Sequence, residues 1–378
     1  MKIAVVVNEF PKLSETFIYN KVLQLAKRGH SIYVFCTSKN DQLFSDFFTD
    51  INNIKLILIN KKAIIQYLLF HPYYLIKHGK VNYANLQFLA AVNAVKPDIV
   101  HFEFSGIGVR YLEILDKIKA KKVVSCRGTA EKVTLLATEE RKQKIKQLFK
   151  LADAVHCVSN DMMQTVMPYC TEPQKIFINH AAVDVDKFKS AGNNASYGSL
   201  IILTAGRLAF QKGYYTGLLA IKKISELRTD FQWLIAGDGP QHEELSFHIH
   251  QMQLSSYVVL LGAKTNNELI ELCNQSHIFF FPSVAEGLGN VALEAMSMQL
   301  PVVSTRSGGI QEVIEHGIDG LLSDVYDMNS LTNNLLLLLN NSELRLSMGK
   351  AARQKVAANF NISQQTDKFE AAYNSLIK

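Results

Sequence analysis

The chain has 378 residues, 48% hydrophobic and 20% charged, the balance of a folded globular protein rather than a disordered one. The length predicts two domains, each large enough to bury a core without disulfides or a structural metal. The net charge of +6 is unevenly spread, with +10 over residues 1–189 and −4 over the remainder, so the first half is expected to face something anionic.

The chain opens on Ile3-Ala4-Val5-Val6-Val7, a β-branched run of the kind found in buried parallel strands. A loop with Pro11 follows, then a helical pattern over residues 15–28 closed by Gly29, then a second strand at 31–35. This β–loop–helix–β unit, repeated, predicts a doubly wound α/β sheet. Further strands are expected at 54–59, 99–102, 122–125, 154–158 and 175–178, with helices near 62–77, 82–95, 107–119, 131–150 and 160–168. Residues 186–199 break the pattern: Ser190-Ala191-Gly192-Asn193-Asn194-Ala195-Ser196-Tyr197-Gly198 is polar and rich in turn formers, which reads as a linker. A second α/β series then has strands expected at 200–205, 232–236, 258–261, 278–282, 301–304 and 320–322. The expected organisation is a first domain over 1–186, a linker over 187–199, a second domain over 200–355 and a closing segment over 356–378. The whole stretch 342–377 reads as helical and long enough to fold back on the first domain. Two such domains place ligands at the carboxyl ends of their strands.

The cysteines are Cys36, Cys126, Cys157, Cys170 and Cys273; their odd number and the lack of any CxxC speak against a disulfide framework and for a reducing compartment. The first apolar run ends at Asn8, too short for a signal peptide, and no stretch approaches the roughly 20 apolar residues of a membrane-spanning helix. The expected location is the cytoplasm, with peripheral contact on the inner face of the cell membrane. Stretches 61–80 and 132–150 mix basic, aromatic and aliphatic residues in the manner of helices that lie on anionic lipid; an ordinary half-buried helix is the plain alternative. Nucleic acid is not expected as a partner, because no recognition motif accompanies the charge.

The strongest chemical signal is Phe281-Pro282-Ser283-Val284-Ala285-Glu286-Gly287-Leu288-Gly289-Asn290-Val291-Ala292-Leu293-Glu294. A strand ends, a glycine-containing turn follows, and a helix begins, offering free backbone N–H groups to a phosphate or to sugar hydroxyls. Glu286 falls in the turn and Glu294 two turns into the helix, so each can hold a different part of one elongated ligand. Ala205-Gly206-Arg207-Leu208, Lys212-Gly213, Ala236-Gly237-Asp238-Gly239-Pro240, Leu261-Gly262, Leu300-Pro301-Val302-Val303 and Gly308-Gly309-Ile310 accompany it in order.

Together these motifs, over about residues 200–325, resemble the family 4 retaining glycosyltransferases, whose fold is GT-B. Phe10-Pro11-Lys12-Leu13-Ser14-Glu15-Thr16-Phe17 and Arg28-Gly29-His30 resemble a subgroup that builds bacterial surface polysaccharides. The resemblance implies transfer of a sugar from a nucleotide-sugar donor, UDP- or GDP-linked, to a saccharide or lipid-linked acceptor. No cofactor and no metal are expected. It implies that Arg207 and Lys212 hold the donor diphosphate, and that Glu286 lies near the donor sugar. Glu294 would accept the ribose hydroxyls, with Gly287, Leu288, Gly289 and Asn290 at the helix start and Gly237 and Asp238 near the base.

Many members carry His-Gly where this chain has Cys126-Arg127-Gly128. Arg127 is therefore a donor-binding candidate, for a sugar hydroxyl, a phosphate, or an acidic donor or acceptor group, with a structural salt bridge as the alternative. Ser14 stands in place of the usual glycine-rich loop as a donor-side candidate, and His101 and Glu103 are candidates to face the acceptor. The competing readings are a nucleotide-sugar epimerase of the same architecture and a non-catalytic partner of a transferase. A dinucleotide oxidoreductase is disfavoured, since no G-x-G-x-x-G follows the first strand.

Overall fold

The computed structural model describes residues 1–12, 15–41, 43–44, 51–59, 82–128, 130–192 and 198–378. The chain divides into two compact units, one made of Met1–His180 with Gln365–Lys378 and the other of Ala181–Gln364.

The first unit is built on the strands β1 (Lys2–Val6), β3 (Ser31–Cys36), β5 (Ile54–Leu58), β6 (Ile99–Phe102), β7 (Lys121–Cys126), β8 (Ala154–Cys157) and β9 (Ile176–Ile178), all paired in parallel. They form a seven-stranded sheet in the order β5-β3-β1-β6-β7-β8-β9. Ile3, Ala4, Val5 and Val6 are buried on both faces, which is why the run is continuous rather than alternating. A small parallel pair, β2 (Glu9–Phe10) with β4 (Ser38–Lys39), sits beside it, too short to show in the sequence pattern.

The strands of the second unit are β10 (Leu200–Ala205), β11 (Phe231–Ala236), β12 (Val258–Gly262), β13 (Ile278–Phe281), β14 (Val302–Thr305) and β15 (Gly320–Ser323). They form a six-stranded sheet in the order β12-β11-β10-β13-β14-β15. Trp233, fully buried, donates its indole N–H to Thr204 Oγ1 at 2.7 Å, and that hydroxyl donates to the Phe280 carbonyl at 2.5 Å. The strand order reverses between β1 and β6 in the first unit and between β10 and β13 in the second. In such sheets these switch points are where loops part and ligands enter.

Three expectations are corrected. The helix expected over 107–119 is a short helix, Ser105–Arg110, followed by a 3₁₀ turn, Leu112–Lys117. The helix expected over 131–150 is broken at Thr138, whose extended backbone and hydroxyl cap a new helix, Glu139–Leu151. The closing stretch is two helices, Ser342–Asn359 and Ile362–Ile377, because a bridge between Val183 and Asn361 pulls the chain out of helical register. That bridge also sets the domain boundaries. Residues 181–186 and 356–364 belong to the second unit, and only residues from Gln365 onward join the first. Arg353 fastens the crossing segment, donating to the carbonyls of Val185 and Phe188, each at 2.8 Å.

In the first unit Phe369 and Tyr373 of the last helix enter the core. Arg28 pairs with Asp367 at 2.6 Å and with Glu370 at 2.5 Å, and His30 with Glu370 at 2.6 Å. The Arg28-Gly29-His30 motif is thus a clamp on the last helix. Among the described residues no helix is long and apolar enough to cross a membrane. The helix Glu139–Leu151 turns Ile145, Leu148 and Phe149 into the core and pairs Lys142 with Glu139 and Lys144 with Glu140. Its apolar face is thus packed in the core, as in the half-buried helix named as the plain alternative. The expected helix over 62–77 and the basic stretch 61–80 lie outside the described residues, as do linker residues 193–197.

Candidate active site

In the second unit the site is built at the carboxyl ends of β10 and β13. The loop after β10 and the turn after β13 are tied together by the Gln211 carbonyl, which accepts from Val284 N at 2.7 Å and Ala285 N at 3.3 Å. Gly213 makes this approach possible. Its φ is +65°, and a Cβ there would strike the Pro282 carbonyl. The consequence is one ion pair: Lys212 Nζ meets Glu286 Oε1 at 2.6 Å. The ammonium also lies 4.9 Å from the centre of the Phe281 ring. Tyr214, buried behind the pair, donates its hydroxyl to the Gly206 carbonyl at 3.0 Å. Burial, and then the Glu286 charge, push that phenol well above its ordinary range.

Arg207 stands one residue beyond Gly206, exposed, and among the described residues its side chain has no hydrogen-bond or ion-pair partner. The helix Asn290–Ser297 starts from Gly289 at φ +96° without a side-chain cap, which leaves first-turn N–H groups for a ligand. At that φ any side chain is strained, and a Cβ at Gly289 would also come within 2.8 Å of Ile310 Cδ1, which favours glycine there. Leu288 is buried under the turn, while Gly287 and the half-buried Asn290 flank it. Glu294 lies in the helix, 8% exposed like Glu286 in the turn. Burial, and after it the Glu294 charge, push the Cys273 thiol upward, so that cysteine stays protonated.

Gly237 is placed for packing: a Cβ there would run into the Gly206 carbonyl, and its N–H donates to Gly262 O at 2.8 Å. Asp238 is exposed and accepts from Gly239 N at 2.7 Å, which closes a tight turn. Sequence reasoning passed over Tyr214 and over Ser283, whose fully buried hydroxyl has no hydrogen-bond partner among the described residues.

The first unit carries a second polar cluster, at the carboxyl ends of β6 and β7. Arg127 donates Nε to the Glu103 carbonyl at 3.0 Å and Nη2 to Glu103 Oε2 at 2.6 Å, while its guanidinium lies 4.5 Å over the Phe17 ring. Lys21 pairs with the other Glu103 oxygen and lies 3.3 Å from His101 Nδ1. His101 Nδ1 meets the Tyr373 hydroxyl at 2.6 Å, and its Nε2 meets Ser125 Oγ at 2.7 Å. Ser125 Oγ continues to His156 Nδ1 at 2.8 Å, and His156 Nε2 donates to the Asn179 carbonyl at 2.8 Å.

Burial pushes Lys21 down to about 8, opposed by Glu103. For Glu103 burial acts upward, and the Lys21 and Arg127 cations overcome it, holding the carboxyl well below its usual range. Burial first, then neighbouring cations, depress His101 strongly and His156 to about 3, so both imidazoles are neutral.

His101 and Glu103 therefore do not face an acceptor. Both are fully buried, and their polar atoms are spent inside the network. Lys21 was the signal missed: it falls on the helical stripe of Ile18, Val22 and Leu25, where an uncharged residue is expected. Ser14 lies outside the described residues.

Two family profiles match the chain, Glycosyltransferase Family 4 over residues 14–187 and Glycosyl transferases group 1 over residues 186–355. The amylovoran biosynthesis glycosyltransferase AmsK of Erwinia amylovora is 25% identical over 393 residues, covering 96% of each chain. The putative colanic acid biosynthesis glycosyltransferase WcaL of Salmonella typhimurium strain LT2 is 24% identical over 397 residues, again with 96% of each chain covered. In fold, the chain superposes on Anabaena Alr3699/HepE, solved in complex with UDP and glucose, with a TM-score of 0.84 over 99% of this chain and 100% of that one, at 15% identity. Its two parallel-sheet units are those of the GT-B fold, and the chain belongs to the group 1, family 4 glycosyltransferases.

Proposed function

We propose that the chain transfers a sugar from a nucleotide-sugar donor to a saccharide or lipid-linked acceptor in the synthesis of a surface polysaccharide, retaining anomeric configuration and needing no metal. The Lys212–Glu286 pair at the switch point of the second unit carries this reading, with Arg207 exposed on the loop after β10 and unpaired among the described residues. A donor diphosphate entering there takes Arg207 and Lys212 as its cations, and Lys212 leaves Glu286 free to orient sugar hydroxyls. As the bond from the anomeric carbon to the phosphate oxygen breaks, negative charge grows on the leaving diphosphate. Fixed cations there lower the barrier.

The acceptor oxygen attacks the same face, and its proton passes to the departing phosphate oxygen, so no protein base is required. Glu294 takes the ribose hydroxyls, and the N–H groups at the start of the helix Asn290–Ser297 meet the donor phosphates. The nucleotide sugar is a substrate, not a cofactor. The names of AmsK and WcaL support the polysaccharide role, and the basic first half supports a peripheral site on the inner face of the membrane.

The test is to follow donor turnover, with and without acceptor, by proton NMR of the anomeric signal. Retained configuration in the first-formed product supports the mechanism. Inverted product refutes retention, and an acceptor-independent epimer would mark an epimerase instead.

A further inference from the structure

We propose that Arg127 is a binding residue for an acidic group of the acceptor, a sugar carboxylate or a phosphate ester, held end-on by its guanidinium. This rests on the glycosyltransferase reading above and adds a substrate class to it. A guanidinium has two forks. In Arg127 the side fork, Nε with Nη2, is closed by the carbonyl and carboxylate of Glu103. Phe17 covers one face of the plane. The end-on fork remains: among the described residues Nη1 has no hydrogen-bond partner, and Nη2 has only Glu103. Two parallel N–H donors at fixed spacing match two oxygens of one carboxylate or phosphate better than a single sugar hydroxyl.

The charge balance points the same way. Glu103 is shared between two cations, Lys21 and Arg127, all three nearly or wholly buried. Two other acids lie nearby. Glu15 makes its ion pair with Lys12 at 3.1 Å and feels the Arg127 charge without a direct contact among the described residues. Glu131 is fixed by the Ser105 hydroxyl and the N–H groups of Arg127 and Gly128, and burial raises its carboxyl toward the neutral form. One guanidinium charge is therefore left without a full partner at the carboxyl end of β7, and an anion there would complete it. Lys21 and Glu103 are positioning residues that set the angle of the fork.

The experiment is titration calorimetry of the full chain with glucuronic acid, glucose 1-phosphate and neutral glucose, on wild type, Arg127→Gln and Arg127→Lys, with UDP and GDP as controls. The expected result is that at least one acid binds about tenfold tighter than glucose. That preference vanishes in Arg127→Gln and weakens in Arg127→Lys, while nucleotide affinity is unchanged in both. Preference for glucuronic acid assigns a carboxylate, and preference for glucose 1-phosphate a phosphate ester. Equal binding of acids and glucose, no binding of either acid, or a preference that survives in Arg127→Gln overturns the proposal. Loss of all nucleotide binding in wild type, with the acid preference intact, would sink the donor site and leave this one standing.

Discussion

Lys212 Nζ and Glu286 Oε1 lie 2.6 Å apart although 74 residues separate them along the chain. The contact exists because Gln211 hydrogen-bonds the turn after β13 and because Gly213 admits the Pro282 carbonyl. The contact holds both side chains in place at the carboxyl ends of β10 and β13. A diphosphate would exchange into the pair on the lysine side. Lys212→Ala is therefore expected to lower kcat by about 10²–10³, the scale seen when one fixed donor to developing charge is lost. Glu286→Gln should lower kcat while leaving nucleotide affinity nearly as it was. Initial-rate kinetics with kcat and KM separated, beside nucleotide titrations, check both.

Gly289 tests the helix start. Alanine at φ +96° is strained, and its methyl would press on Ile310, so Gly289→Ala should cost about 2–4 kcal/mol. Chemical denaturation of the variant measures this. A donor titration should show weakened binding as well, since the strain sits where the first-turn N–H groups are aimed.

The buried histidines predict a pH dependence. Both have pKa values depressed in the folded state, so their contribution to stability is complete above about 6.5 and is lost as pH falls through 6.5 toward about 3 for His156. The unfolded chain takes up protons that the folded one refuses. Below pH 6.5 the slope should approach about 1.4 kcal/mol per pH unit for each histidine. Denaturation of wild type and His156→Gln between pH 7.5 and pH 5 should show a shallower slope in the variant.

The Lys21–Glu103 pair predicts strong coupling. Lys21→Met leaves Glu103 with one cation fewer in a site closed to water, and a loss of about 3–5 kcal/mol is expected. Adding Glu103→Gln should recover part of it. A double-mutant cycle on unfolding free energies gives the coupling directly, and independent losses that simply add would contradict the network.

The sheets were legible because parallel strands buried on both faces are written as continuous apolar runs, as at residues 3–7 and at Ile278–Phe281. The turn after β13 and the helix start behind it were legible because their glycines are local in sequence. The structure brings Lys212 to Glu286 and leaves Arg207 exposed, but it uses Gly237 for packing. The burial of His101 and Glu103 was not legible, because it depends on Lys21, Ser125, His156 and Tyr373, which lie far apart in sequence and meet only in the folded unit. The break at Asn361 was hidden for the same reason, since its cause is Val183, far away in sequence.

A nucleotide-sugar site built around Glu294, Glu286, Arg207 and Lys212 is tested most directly by calorimetric titration of wild type and Glu294→Ala with UDP, GDP, ADP and CMP and their common sugar conjugates. One nucleotide class is expected to bind wild type, and Glu294→Ala to lose at least about tenfold in affinity for it. Equal affinity of wild type and variant for every ligand, or no binding by wild type at millimolar concentration, would contradict it.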